Sequence, residues 1–515
     1  MEPSSPQAND QQNDITDIHL EDTTKMDIPL PDIDLRDTSK TDTSLMDVPL
    51  QETIKTAIPH QNAPKMAIHL QSTVKNAATV QNADRIESGI RITPSKVLPL
   101  VALLCIVLFN VLNSGAMQFI GPQGWASVLG DNTNIQSSNI LRGLQQKLHE
   151  HPKTGVKATS TAQPLTPQQY INTIVQKMPL DMKLGQMMIV QFIGPDYSPD
   201  LASMITQYNV GAVLIFTSNQ NIISKPQLTG LIQHMQRNTA IPLAVATDEE
   251  GGAVNRLLQL DGPRPSAASL GATHNPATAR AAGAQDARDL ASYGINLNLA
   301  PVVDVDSTYG SELHVDGRTF GSDPARVIDM AGAYLQGLQQ SGKVVGTLKH
   351  FPGIGDVVTD PHLAVPYLQR SKSDLERIDW APYRALIRQG NVHAVMVTHE
   401  VVTALDSQQP STLSSKVVTG ILRHALGFQG VIMTDSLTMK SITDYTSEDQ
   451  AGAQAIAAGS DLLMGPGTPH DVAAMIAGIK QAINAGTISQ QRVDDSVRRI
   501  LMMKYEMGLL PLPTN

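Results

Sequence analysis

A single cysteine, Cys105, stands in the 515 residues of this chain. It falls inside an apolar run, so the rest of the chain carries no disulfide, thiol nucleophile or cysteine metal site. Excess positive charge is also missing: the formal net charge of −10 argues against nucleic acid as a partner and fits a soluble acidic domain. No glycine-rich phosphate loop follows the first strand-like run, which weighs against a doubly wound open sheet. His399-Glu400 has the look of a metal-ligand pair, but no His-x-x-x-His spacing or carboxylate companion stands beside it. Neither metal nor cofactor is expected.

Long hydrophobic runs are scarce, and the one present is informative. Val97 to Leu112 is sixteen residues without a charge, extendable to Ile120 with only Asn, Ser and Gln as polar interruptions. That approaches the length needed to cross a bilayer. Arg85, Arg91 and Lys96 precede it, and the next basic residue is Arg142. The positive-inside rule then places the N-terminus in the cytoplasm and everything after the span outside the cell membrane. A buried core helix would suit the length but not the polar sequence on both sides. A cleavable signal peptide would suit Ser114-Gly115-Ala116, but not a 96-residue leader.

Residues 1–96 are poor in aromatics and rich in Asp, Thr, Gln and Pro, with a five-residue register. Leu20, Lys25, Leu30 and Leu35 share one phase, and Asp17, Asp22, Asp27 and Asp32 another. A pentapeptide solenoid would bury several of the lysines unpaired, at high cost. A disordered cytoplasmic tail is expected instead. Residues 97–120 are read as a transmembrane anchor, and residues 121–165 as a linker with a short helix at Asn139–His151. Residues 166–515 are read as the catalytic domain. Thr166-Pro167-Gln168-Gln169 opens that domain with a capping Thr, Pro at the first helical position and Gln at the third.

Within it, apolar runs bounded by turn signals lie at Met187–Phe192, Gly211–Phe216, Leu243–Thr247, Leu297–Val302, Val344–Leu348, Ala394–Val397, Val431–Met433 and Asp461–Met464. Stretches with helical spacing separate them, among them Ala277–Ser292, Asp323–Gln340, Ser373–Gln389 and Val472–Asn484. Eight such alternations over roughly 350 residues predict a (β/α)8 TIM-type barrel, with chemistry on the loops after the strands.

Those strand ends carry the polar residues. Leu348 runs into Lys349-His350-Phe351-Pro352-Gly353-Ile354-Gly355-Asp356, with Asp360-Pro361-His362 close behind. Val344–Leu348 reads as a buried strand stopped by the proline and glycines, which leaves Lys349 and His350 on a loop. Asp360 and His362, two apart, can set a carboxylate against an imidazole; a solvated loop is the plainer account. Thr247 runs into Asp248-Glu249-Glu250-Gly251-Gly252, with Arg256 beyond, and Thr434 into Asp435-Ser436. Asp435 taken alone could be a helix cap, and Lys349 and Arg318 could be rim salt bridges. His314 is expected to be solvated.

Asp248-Glu-Glu-Gly-Gly-Ala-Val-Asn-Arg256, Asn298-Leu-Ala-Pro-Val-Val-Asp304, Gly317-Arg318-Thr-Phe-Gly321, the Lys349-His350-Phe-Pro-Gly run, Met396-Val-Thr-His399 and Val431-Ile-Met-Thr-Asp435-Ser-Leu resemble, in order, family 3 glycoside hydrolases. The likeness is to the β-N-acetylglucosaminidase branch and covers about Thr166 to Leu510. The closing Arg492–Leu501 helix is similar as well. Many members of the family carry a further α/β sandwich domain that supplies a glutamate acid/base, for which no room is expected here.

The resemblance implies a retaining exo-β-N-acetylglucosaminidase that removes terminal N-acetylglucosamine from cell-wall fragments or chitin-like oligosaccharides. It implies Asp435 as nucleophile, His362 as acid/base and Asp360 as its partner. It further implies Asp248, Arg256, Arg318, Lys349 and His350 as the residues that hold the sugar. A retaining glycosidase needs a carboxylate on one face of the ring and a proton donor at the leaving oxygen. Three departures stand out. Ile354 and Pro361 replace the family's usual His and Ser, and Ala253 stands where Arg is common. Proline fixes its own φ and restricts Asp360 before it. A phosphorylase of the same glycosides and a non-catalytic, membrane-tethered wall-binding protein are the alternatives. Expected partners are an oligosaccharide and, through one transmembrane helix, the membrane; a monomer is favoured.

Overall fold

The computed structural model describes residues 165–358 and 364–512. The expected tail, span, linker helix and Asp360–His362 pair all lie outside these residues. Among the described residues, no helix is long and apolar enough to cross a membrane.

Eight parallel strands form a closed barrel: β1 (Met188–Val190), β2 (Ala212–Leu214), β3 (Ala244–Thr247), β4 (Leu297–Asn298), β5 (Val345–Phe351), β6 (Ala394–Val397), β7 (Val431–Ser436) and β8 (Leu462–Met464). Each pairs with the next in sequence, and β8 closes on β1 through Met188↔Leu463 and Ile189↔Met464. All eight fall on the runs predicted from the sequence. Their continuous apolar character follows from burial on both faces, by barrel interior and by helices. Of the side chains in β1, β2, β3 and β6, none exceeds a few per cent exposure.

The helices between them start where the sequence caps them. Thr166 makes the capping box with Gln169. Asp323 accepts the Ala325 N–H at 3.0 Å, with Pro324 at the first position of Pro324–Gln339. The helix expected at Ser373–Gln389 is interrupted: a π-turn at Leu375–Asp379 precedes Trp380–Arg388.

One boundary differs in a way that matters. β5 does not stop at Leu348; it runs to Phe351, so Lys349 and His350 belong to the strand. Neighbouring segments supply the hydrogen-bond partners that extend the strand. Val303 N–H donates to the Lys349 carbonyl at 2.7 Å, and Thr398 N–H to that of Phe351 at 3.0 Å. Against β6 the register shifts between Leu348 and Phe351, and β7 shifts against β8 between Met433 and Ser436. Both irregularities fall on residues expected to carry chemistry, Lys349-His350 and Asp435, and bulges re-aim side chains at barrel rims.

Candidate active site

A cavity of about 640 Å³ opens at the C-terminal end of the strands. Asp248, Arg256, Arg318, Lys349, His350 and Asp435 all line it, together with Glu250, Glu312, Ile354 and Thr398. Six residues spread over 188 positions of sequence therefore face one space, where a TIM barrel keeps its chemistry.

The charged wall is a network centred on Glu250. Its carboxylate takes Arg318 in a two-pronged bond, Nε and Nη2 each at 2.9 Å, and Lys349 Nζ at 2.7 Å. Lys349 reaches Asp248 Oδ1 as well, at 2.7 Å. Burial favours the neutral form of Glu250, but Lys349 and Arg318 outweigh it and bring its pKa down to about 2. Burial likewise opposes the charge on Lys349, while Asp248 and Glu250 hold its pKa above the usual lysine value. Both cations thus stay charged in a nearly dry place, oriented by anions behind them. They are rim salt bridges and pocket residues at once, so the two readings of the sequence were not alternatives. Arg256 stacks over Phe216, 4.2 Å from the ring centroid.

The turn that presents Asp248 and Glu250 is built tightly. Glu249–Gly251 pairs with Val254–Asn255 in a short antiparallel ribbon. Asn298 clamps it from β4, accepting the Glu249 N–H at 3.0 Å and donating to its carbonyl at 2.8 Å. Gly251 sits at φ +80°, and a Cβ there would lie 2.2 Å from the Pro265 carbonyl oxygen, so only glycine fits. Glu249 itself points away from the pocket. One of its oxygens accepts the Leu257 N–H at 3.0 Å and the other is buried without a partner. Burial raises its pKa to about 8.

His350 is fixed by Asp304, whose Oδ2 accepts from the His350 backbone N–H at 2.9 Å and lies 2.8 Å from Nδ1. Asp304 Oδ1 takes the Ile354 N–H at 2.8 Å. The loop is thus held by a backbone bond that any residue but proline could make at 354, and the isoleucine side chain is left to line the cavity. Such a carboxylate–imidazole contact selects the ring tautomer and sets its angle.

Asp435 is partly buried on the opposite wall. Ser436 N–H donates to Oδ1 at 2.7 Å, and Thr398 Oγ1 lies 3.4 Å from Oδ2. Burial works against ionisation, but charge at His399 and His350, the Ser436 N–H and Lys349 prevail and keep the carboxyl below the usual aspartate range. It does not cap a helix: it lies within β7. His399 braces this wall, with Nε2 2.9 Å from the Ser436 carbonyl oxygen and Nδ1 2.8 Å from Thr412 Oγ1. Both ring nitrogens are occupied by protein atoms, and Glu400 beside it is wholly buried. Among the described residues, no group of three or more His, Cys, Asp or Glu is arranged to hold a metal.

Sequence reading passed over Glu250, Asp304, Glu312 and Thr398 as site residues. Glu250, Asp304 and Thr398 did lie inside the quoted motifs, and that was the available signal. His314 is only partly solvated: its Nδ1 lies 2.6 Å from Asp306 and its ring packs at a tilt against Tyr309.

This arrangement places a carboxylate kept anionic across from a cluster of cations and fixed acceptors, in a cavity of sugar size. Comparison with known proteins agrees. Residues 179–503 match the glycosyl hydrolase family 3 N-terminal domain. Beta-hexosaminidase LpqI of Mycobacterium tuberculosis is 34% identical over 375 residues, covering 69% of this chain and 92% of that protein. The family 3 beta-N-acetylglucosaminidase of Paenibacillus sp. strain FPU-7 superposes with a TM-score of 0.61 at 32% identity. That match covers 64% of this chain and 63% of the other. The beta-glucoside phosphorylase BglX gives a TM-score of 0.60 at 25% identity, over 68% and 64% of the two chains. This chain therefore belongs to glycosyl hydrolase family 3 and is a glycoside hydrolase.

Proposed function

We propose that this protein is a retaining β-N-acetylglucosaminidase that removes terminal β-linked N-acetylglucosamine from cell-wall fragments or chitin-like oligosaccharides. One observation carries the reading. Asp435, held ionised, faces the same cavity as Asp248, Arg256, Arg318, Lys349 and His350. The relatives named for hexosaminidase and N-acetylglucosaminidase activity support the choice of sugar.

In this mechanism Asp435 attacks the anomeric carbon and the bond to the leaving oxygen breaks. His362, steadied by Asp360, gives that oxygen its proton. The imidazole then takes a proton from water, which attacks the glycosyl–Asp435 ester and releases the sugar. Lys349, Arg318 and Asp248 hold the sugar hydroxyls, and their rigid pairing means little reorganisation as charge develops.

Phosphorolysis is the second reading, favoured by the likeness to a beta-glucoside phosphorylase. A histidine donor, unlike a carboxylate one, does not itself repel an incoming phosphate. A chromogenic β-N-acetylglucosaminide, assayed beside the β-glucoside with and without phosphate, tests both. Free N-acetylglucosamine at a rate indifferent to phosphate is expected, with Asp435→Asn inactive and a fluorinated activated sugar labelling Asp435 of the wild type. Phosphate-dependent release of a sugar 1-phosphate would replace hydrolysis by phosphorolysis. Sugar binding without any turnover would leave a wall-binding protein.

Residues 97–120 would anchor the enzyme in the cell membrane with the barrel on the outer side. In spheroplasts the barrel should be open to added protease. Full protection by the bilayer would reverse the orientation.

A further inference from the structure

Nine large hydrophobic side chains are exposed among the described residues: Leu165, Ile193, Ile223, Leu258, Tyr309, Val315, Val358, Tyr367 and Tyr445. Their distribution is lopsided. Leu165 opens the described chain. The other eight all lie on segments that follow a barrel strand and precede the next main helix, so they ring the end of the barrel where the cavity opens. The outer helices, which offer far more surface, contribute none.

The segment after β4 carries the strongest case. Tyr309 is 86% exposed, yet its ring is not loose. It packs on His314, with centroids 4.5 Å apart, and His314 is held by Asp306 at 2.6 Å. Thr308 Oγ1 donates to Asp356 Oδ1 at 3.0 Å, which ties the segment to the loop after β5. A Cβ on Gly310, the next residue, would come 3.9 Å from Cγ1 of the exposed Val358, so Val358 packs beside this turn. Three residues beyond Tyr309, Glu312 lines the cavity and takes Arg318 Nη1 at 3.2 Å. The ring is therefore braced against the pocket wall through a short, capped turn, Glu312–Val315, whose Ser311 cap accepts from His314 N–H.

What would such a ring bind? The cavity floor is charged and takes the sugar that is cleaved off. A pyranose has a flat face of C–H groups that covers an aromatic ring, while its hydroxyls stay in water or reach nearby polar groups. A tyrosine offers an apolar body with a polar tip for this purpose. An anionic membrane is a poorer occupant, since Asp306, Glu312 and Asp316 stand in the same segment and would be repelled by it.

We infer that Tyr309, backed by His314, is a binding platform for the aglycone sugar of an oligosaccharide. It selects substrates with at least one sugar beyond the scissile bond. This deepens the reading of the enzyme as a β-N-acetylglucosaminidase and rests on it.

The test compares two substrates of the full-length protein. One is a β-1,4-linked N-acetylglucosamine trisaccharide; the other is N-acetylglucosaminyl fluoride, which has no aglycone ring to stack. Tyr309→Ala should lower kcat/KM on the trisaccharide about tenfold, the size expected for one lost aromatic contact. It should leave the fluoride nearly unchanged, and Tyr309→Phe should keep both activities. Equal losses on the two substrates, or none on the trisaccharide, would overturn the platform while the enzyme reading stands. A wild type that cleaves neither compound would defeat the enzyme reading, and the platform with it.

Discussion

At the scale of single residues, the site works by assigning opposite fates to carboxyl groups a few positions apart. Glu250 is held ionised by Lys349 and Arg318 and orders them in turn. Its neighbour Glu249 faces the packed side of the ribbon, and burial lifts its pKa to about 8. The folded value lies above the ordinary glutamate value of 4.5, so the protonated form of Glu249 favours the fold. That contribution is full below pH about 4.5 and is lost as the pH rises through about 8. Glu249→Gln, neutral at every pH, should flatten the fall in melting temperature of the wild type over that window. Parallel melting curves for the two proteins across the window would show that Glu249 does not hold its proton. The proposed acid/base is open to a residue-scale experiment too. His362→Ala should depress turnover of alkyl and sugar aglycones by orders of magnitude more than that of nitrophenyl ones, which leave without a proton. Asp360→Asn should move the alkaline limb of the pH–rate profile to lower pH, because the ring then loses its proton more readily. Equal losses on good and poor leaving groups would make His362 a loop or sugar residue.

At the scale of elements, β4 and β5 act as one unit. Asp304, six residues past the end of β4, accepts from the His350 and Ile354 backbones and meets the His350 ring. Without it the backbone N–H groups of His350 and Ile354 would be left unanswered beside the cavity. Close backbone approach is part of the device: a Cβ on Gly355 would fall 1.8 Å from the Val305 carbonyl oxygen. Asp304→Asn presents one N–H face to a donor and should cost about 1–3 kcal/mol of stability. It should also raise KM by releasing the His350 ring. Thermal melts and steady-state kinetics measured together decide this. Unchanged KM with lowered stability would confine Asp304 to a packing role.

At the scale of the whole molecule, the barrel closes at the cost of a buried charge site remote from the cavity. Lys504, in the last long helix, is wholly buried, and its side chain donates to Gln186 Oε1 at 2.8 Å. Burial lowers its pKa to about 7. Between that value and 10.5 the unfolded chain binds the proton and the folded one does not, so stability rises with pH across this window. The trend opposes that of Glu249, and the two single variants separate them. Lys504→Met should remove most of the rise between about pH 7 and 10 in chemical denaturation. A variant with the same slope as the wild type would place the dependence elsewhere.

The sequence by itself determined the elements and their order. Apolar runs and helix caps are local signals, and all eight strands fell where those signals stand. Thr166, Asp323 and their prolines began helices as their chemistry requires. The motif residues also named one side of the pocket, because barrel topology puts every strand end on the same face. What the tertiary structure decided is how those residues are held. Lys349 meets Asp248 across 101 positions, Arg318 meets Glu250 across 68, and His350 meets Asp304 across 46. No local pattern records such pairings. Nor could the run after Leu348 reveal that β5 continues to Phe351, since its hydrogen-bond partners come from two neighbouring strand ends. The register shifts at Leu348–Phe351 and Met433–Ser436 exist only between paired strands. A bulge is a property of pairing, and pairing is settled only when the barrel closes.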